Sequence, residues 1–179
     1  MLVFKSFDSF IKDLNLNKLV WIIDRNVYNL WNQKFDPYIL NNKKILIKAD
    51  ESSKSISSFE DVINKMLSFN IKREDTVIVI GGGITGDLGG FVSSVYLRGL
   101  KYYHIPTSLL AMVDSSIGGK TGLNTSYGKN LIGSFYLPEA TVIDTNFLFT
   151  LPKSEIKNGL GEIIKSALIE NGELFELVK

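Results

Sequence analysis

The chain has 179 residues, 45% of them hydrophobic and 22% charged, with 20 basic against 19 acidic side chains. This composition suits a globular domain and excludes disordered and collagen-like chains, and a net charge of +1 supplies no global field for nucleic acid or an anionic membrane. With no cysteine and a single histidine, His104, the sequence has no disulfide framework, no zinc ribbon, no thiol nucleophile and at most one imidazole.

The opening MLVFKSFDSFIKDLN mixes Lys5, Asp8, Lys12 and Asp13 among apolar residues, so it lacks the neutral core of a secretory signal. No apolar run reaches eighteen residues, and a cytoplasmic protein is the expectation. Short apolar, β-rich runs then recur at Leu19–Asp24, Lys44–Ala49, Thr76–Ile80, Lys101–Ile105 and Ala140–Ile143, separated by helical patterns. That alternation predicts an α/β fold, a Rossmann-like parallel sheet with flanking helices. Between the second and third runs Phe59, Val62, Ile63, Met66 and Leu67 recur at helical spacing, with Ser57 and Glu60 as the capping box.

The third run, TVIVI, is β-branched and apolar as a strand covered on both faces should be, and it leads into Gly81-Gly82-Gly83-Ile84-Thr85-Gly86-Asp87. Glycines at the carboxyl end of a parallel strand let the backbone approach a pyrophosphate, and the N–H groups opening the next helix point at it. The spacing differs from the usual dinucleotide fingerprint, G-x-G-x-x-G.

From Pro106 to Gly133, five glycines interleave with Asp, Ser, Lys and Asn, and the stretch reads as a long functional loop. Lys120 follows a glycine pair and Lys129 follows Gly128, so both ammonium groups sit where backbone can fold around an anion, and Arg98 offers a bidentate fork. Asp114 suits either a hydroxylated ligand or a helix cap. Glu51 and Lys54 lie after a strand, where a ribose-binding carboxylate or a helix-start acid would both fit. Glu162 and Lys165 share a helical face, as a surface ion pair does. His104, beside Tyr102 and Tyr103, reads as a packed strand residue. After Pro152 the pattern is helical to Lys179 with no closing glycine, from which we expect a domain at 1–151 and the start of a helical C-terminal domain at 152–179.

Taken in order, ADESSK at 49–54, GGGITGDLGGF at 81–91, YLRG at 96–99, PTSLLAMVDSSIGGKTGLN at 106–124, GKNLIGSFYLP at 128–138 and GLGEIIKSALI at 159–169 resemble the 3-dehydroquinate synthase family of sugar phosphate cyclases. The resemblance covers that family's N-terminal half. It implies NAD as cofactor, with Asp50, Glu51 and Lys54 on its adenosine side and Gly83, Ile84, Thr85, Gly86 and Asp87 at its pyrophosphate. Thr107 and Ser108 would contact the nicotinamide side, and Phe147, Leu148, Phe149 and Thr150 would complete the pocket.

By the same resemblance Asp114, Lys120, Lys129 and Asn130 face the substrate and its phosphate, the two lysines also touching the cofactor, and Arg98 reaches a partner subunit across a homodimer. Glu162 matches a ligand of a divalent metal, zinc or cobalt, and Lys165 a substrate-binding lysine. The implied reaction converts 3-deoxy-D-arabino-heptulosonate 7-phosphate, a phosphorylated sugar acid, to 3-dehydroquinate and phosphate with transient reduction of NAD. The family's metal needs two histidines that this chain lacks, so the chain alone is expected not to turn over, and Ser108 stands where relatives often carry threonine. Another NAD-dependent sugar phosphate cyclase, a glycerol dehydrogenase-like enzyme and a non-catalytic NAD-binding chain are the competing readings.

Overall fold

The computed structural model describes residues 1–170 and 172–179, with only the backbone of Asn42. Its elements run β1 (Leu2–Phe4), α1 (Phe7–Ile11), β2 (Leu19–Asp24), α2 (Arg25–Phe35), β3 (Lys44–Ile47), α3 (Ile56–Ser68), β4 (Thr76–Gly81) and α4 (Gly83–Val95). They continue with β5 (Tyr102–Pro106), β6 (Lys120–Thr125), β7 (Gly128–Phe135), β8 (Ala140–Ile143), α5 (Lys153–Glu170) and α6 (Glu173–Val178).

Six strands form one parallel sheet in the order β1-β8-β5-β4-β2-β3. The expected five strands are all present, and β1 joins at an edge beside β8. Successive residues of a strand face opposite sides, so each central strand feeds two cores. Trp21, Ile23, Ile78 and Ile80 pack on one face with Phe7 and Phe35 from α1 and α2. Val20, Ile22, Val77 and Val79 pack on the other with Val62 and Met66 from α3 and Leu88 and Val92 from α4. Burial on both faces explains why β2 and β4 read as continuous apolar runs.

Strand order reverses between β2, whose next strand in sequence lies outward at β3, and β4, whose next strand lies the other way at β5. In open α/β sheets such a reversal opens a crevice at the carboxyl ends of the strands. Here that crevice is flanked by Asp24 and the run Gly81–Gly83.

Three local expectations differ from the structure. Helix α3 begins two residues earlier than the Ser57–Glu60 box implies, because the extended Ser55 accepts the Ser58 N–H at 3.2 Å and serves as the cap. Leu67 at the end of that helix is exposed, since the core lies under Val62 and Met66. The segment 106–133 is not one long loop, because its second half enters the antiparallel hairpin β6–β7. The glycines there serve close backbone approach: Gly122 pairs with Gly133, and a Cβ on Gly133 would stand 2.2 Å from the Thr121 carbonyl oxygen.

Candidate functional site

Helix α4 starts directly after β4 with Gly82 at its cap position, where no side chain can accept the free N–H groups of the first turn. Those orphan donors and the positive end of the helix dipole face the crevice. A Cβ on Gly83 would stand 3.0 Å from Ser115 Oγ, and one on Gly82 3.3 Å from Ser108 Oγ. Among the described residues, the hydroxyls of Thr85 and Ser115 are buried without a partner. A cluster of uncapped backbone donors and unsatisfied hydroxyls around glycine is what an anionic diphosphate would fill, so these residues fit a dinucleotide. Thr107 donates its N–H to the Gly81 carbonyl at 3.1 Å, and Ser108 Oγ accepts from the Ala111 N–H at 3.3 Å, which fixes both beside the glycine run.

Beside this helix start, a cavity of about 460 Å³ is lined by Asp87, Asp114, Lys120 and Asn130 together with Ser115, Thr121, Ser134 and Phe135. Four of the site residues expected from sequence therefore share one cavity although they come from α4, the turn before β6, and the hairpin. Asp114 lies inside a single π-helical turn, Ala111–Ser115, rather than at a helix cap. The wide turn, closed by the Ser116 N–H on the Ala111 carbonyl at 3.1 Å, sets Asp114 and Ser115 at the cavity wall.

The remaining polar residues bind one another. Lys54, 6% exposed, pairs with Asp87 and donates to the Asn130 side-chain oxygen. Burial raises the Asp87 carboxyl above the usual range, with Lys54 opposing the rise. Lys129 does not line the cavity and pairs with Glu51 at 3.1 Å. Asp50 is occupied as the cap of a short 3-10 turn, accepting from Ser52 and Ser53, and by Lys48 at 2.5 Å, so its carboxyl sits well below the usual range. Phe147 is buried among Phe7, Trp31 and Phe35, so it supports the site from the core and presents no surface to a ligand. Leu148 is half-buried against that cluster, while Phe149 and Thr150 are exposed, Thr150 Oγ1 accepting from the Trp31 indole at 2.9 Å.

Residues 44–158 match the family described as 3-dehydroquinate synthase N-terminal. The chain belongs to the 3-dehydroquinate synthase family. It is 45% identical over 163 residues to a 3-dehydroquinate synthase of Clostridium acetobutylicum, covering 89% of this chain and 46% of that relative. It is likewise 45% identical over 177 residues to one of Pelagibacter ubique, covering 97% and 48%. The chain thus spans about half the length of the curated relatives it matches. Among solved structures, a 2-epi-5-epi-valiolone synthase of Streptomyces hygroscopicus subsp. jinggangensis 5008 with NAD+ and Zn2+ bound superposes with a TM-score of 0.80 at 31% identity. That match covers 92% of this chain and 48% of the other.

Against this family background, Arg98 is exposed and outside the cavity lining, on backbone where Leu97, Arg98 and Gly99 all have positive φ. Consecutive left-handed residues cost conformational energy that ordinary turns avoid. Helix α5 packs on the segment before the π turn at Gly159, where a Cβ would clash with Leu109 at 2.5 Å. On it Lys165 pairs with Glu162, whose carboxylate holds the ammonium above its ordinary range. Among the described residues no three His, Asp or Glu side chains converge, so the chain's own residues do not fit a complete divalent-metal site. Nor is any described helix long and apolar enough to cross a membrane.

His104 sits on β5 as a packed residue, as its setting after Tyr102 and Tyr103 suggests. Burial pulls its imidazole down to about 4, and Gly86 of α4 lies against it, where a Cβ would meet the ring at 2.5 Å. Two residues escaped the sequence reading. Asp24 ends β2 beside Gly81, with its carboxyl raised by burial and accepting the Asn26 N–H at 2.8 Å. A carboxylate closing an apolar strand was the available signal. Ser115 carried no signal, because only the fold turns its hydroxyl toward Gly83.

Proposed function

We propose that this chain forms the cofactor-binding half of a 3-dehydroquinate synthase, which converts 3-deoxy-D-arabino-heptulosonate 7-phosphate to 3-dehydroquinate and phosphate. The observation that carries the reading is the uncapped start of α4 at Gly83, opening beside a cavity that holds Asp114, Lys120 and Asn130. NAD, when bound, supplies a hydride acceptor and donor for a substrate alcohol.

The backbone N–H groups of Gly83, Ile84 and Thr85 hold the diphosphate, with Gly86 and Asp87 shaping that turn. Glu51 and Lys54 lie on the adenosine side with Asp50, and Thr107 and Ser108 on the nicotinamide side with Leu148, Phe149 and Thr150. The ammonium of Lys120, on the cavity wall, holds the departing phosphate, while Asp114 and Asn130 orient hydroxyls. Lys129 is reached by exchange of its Glu51 partner for a ligand anion. Lys165 offers a second cation to the substrate, and Arg98 extends toward a second copy in a homodimer. Among the described residues, Glu162 is the ligand this chain would bring to zinc or cobalt. Residues 152–179 open a second, helical unit after the dinucleotide unit of 1–151.

The test is a titration of the protein at its native length with NAD+ by calorimetry, followed by phosphate release from the sugar acid phosphate. Saturable NAD+ binding with phosphate release and no accumulation of NADH is expected. Accumulating NADH would move the protein to the dehydrogenases, and the absence of NAD+ binding would refute the reading.

A further inference from the structure

The hairpin β6–β7 is tied to the segment after β3 through one side chain that the reading above leaves without a role. Asn124 lies at the irregularity of the hairpin, between the pairs Leu123–Ile132 and Thr125–Gly128. Its backbone N–H donates to the Lys54 carbonyl at 2.7 Å, its Nδ2 donates to Glu51 Oε1 at 2.8 Å, and its Oδ1 accepts the Asn130 N–H at 3.0 Å. Both ends of the amide are thus used, one on the nucleotide side and one on the substrate side.

Asn130 has a left-handed backbone, φ 58°, which a residue with a side chain adopts only when its surroundings hold it there. The bond from its N–H to Asn124 is such a restraint. Glu51 is held below the usual carboxylate range, first by the Asn124 amide and then by Lys129. Both partners take Oε1, and Glu51 lines a second, shallower pocket together with Lys54, Asn124 and Thr125.

We propose that Asn124 is a positioning residue that orients Glu51 for the nucleotide and, through the opposite end of the same amide, fixes the Asn130 backbone on the substrate side. The inference rests on the NAD and substrate reading of Glu51 and Asn130. It makes the two halves of the site mutually dependent through a residue that touches neither ligand.

Two variants separate the roles in the protein at its native length. Asn124→Ala removes both bonds. Asn124→Asp keeps an acceptor for the Asn130 N–H but sets a carboxylate against Glu51. At about pH 8 both are expected to bind NAD+ about tenfold or more weakly, the loss expected for a hydrogen bond to a charged group. Near about pH 5.5 the introduced carboxylate takes up a proton, because two close carboxylates do not both ionise freely, and donates to Glu51. Asn124→Asp then recovers toward wild-type affinity while Asn124→Ala does not, and hydrogen exchange at the Asn130 amide accelerates in Asn124→Ala alone.

Wild-type NAD+ affinity, KM and kcat in Asn124→Asp at both pH values would overturn the proposal, as would equal losses in both variants at both pH values. If Asn124→Ala fails to fold, Asn124→Asp carries the test by its pH dependence. If the wild type itself binds no NAD+, the functional reading fails and takes the proposal with it, an outcome distinguished by the wild-type titration alone.

Discussion

Replacing Lys54 by methionine keeps the length of a side chain that is 7% exposed and removes the cation facing Asp87, whose own side chain is 23% exposed. Breaking a buried ion pair from one side costs about 3–5 kcal/mol because the remaining charge stays desolvated. The partial exposure of Asp87 lowers this to about 2–4 kcal/mol, with the Asn130 oxygen also losing its donor. At about 2–4 °C per kcal/mol for a chain of this size, a loss of about 3 kcal/mol lowers Tm by about 6–12 °C.

The loss is pH-dependent with a defined sign. Burial already raises the folded Asp87 carboxyl, and removing Lys54 raises it further. An acid whose folded pKa lies above its unfolded value costs stability as pH rises between the two, so the loss is greatest at neutral pH and shrinks in acid. Urea unfolding of Lys54→Met, Asp87→Asn and the double variant at about pH 8 and about pH 5 measures both features. A loss equal at the two pH values, or a coupling energy below about 0.5 kcal/mol, would refute the reasoning.

Three further outcomes are expected. Gly83→Val places a branched side chain against Ser115 Oγ and over the free N–H groups of α4. Calorimetry should show NAD+ binding weakened about 100-fold or more with little change in Tm, and normal binding would locate the diphosphate elsewhere. Lys120→Ala should lower kcat/KM for phosphate release by about 100–1,000-fold while the NAD+ Kd stays within about threefold. A large change in Kd would show that the contact of Lys120 with the cofactor outweighs its hold on the phosphate. His104 stays neutral in the fold down to about 4 against its ordinary 6.5, so the unfolded chain alone binds that proton as pH falls through the window. Wild-type stability should therefore drop by about 1–3 kcal/mol from pH 6.5 to about 4, and His104→Gln should flatten that slope in urea titrations. Parallel slopes for the two proteins would refute a buried neutral imidazole.

The residues of the glycine run, with the strand before them and the helix after, were legible because each is a local requirement. A doubly covered strand demands a continuous apolar run, and a backbone that must approach an anion demands glycine. The same holds for the five expected strands, for α3, and for His104 as a packing residue. The hairpin was not legible, since glycine pairs that bring two backbones together look in sequence like the glycines of a mobile loop. Nor could sequence tell that Lys54 and Asp87, 33 positions apart, neutralise one another, or that Lys129 pairs with Glu51 while Lys120 stays on the cavity wall. The amino-acid sequence by itself determined the parallel α/β sheet, because periodicity and local backbone demands are written residue by residue, and its ordered motifs marked the family and the candidate site residues. Which of those residues converge on the cavity, which pair with each other and which, like Phe147, vanish into the core was decided by tertiary structure, because burial and charge pairing depend on neighbours distant in the chain.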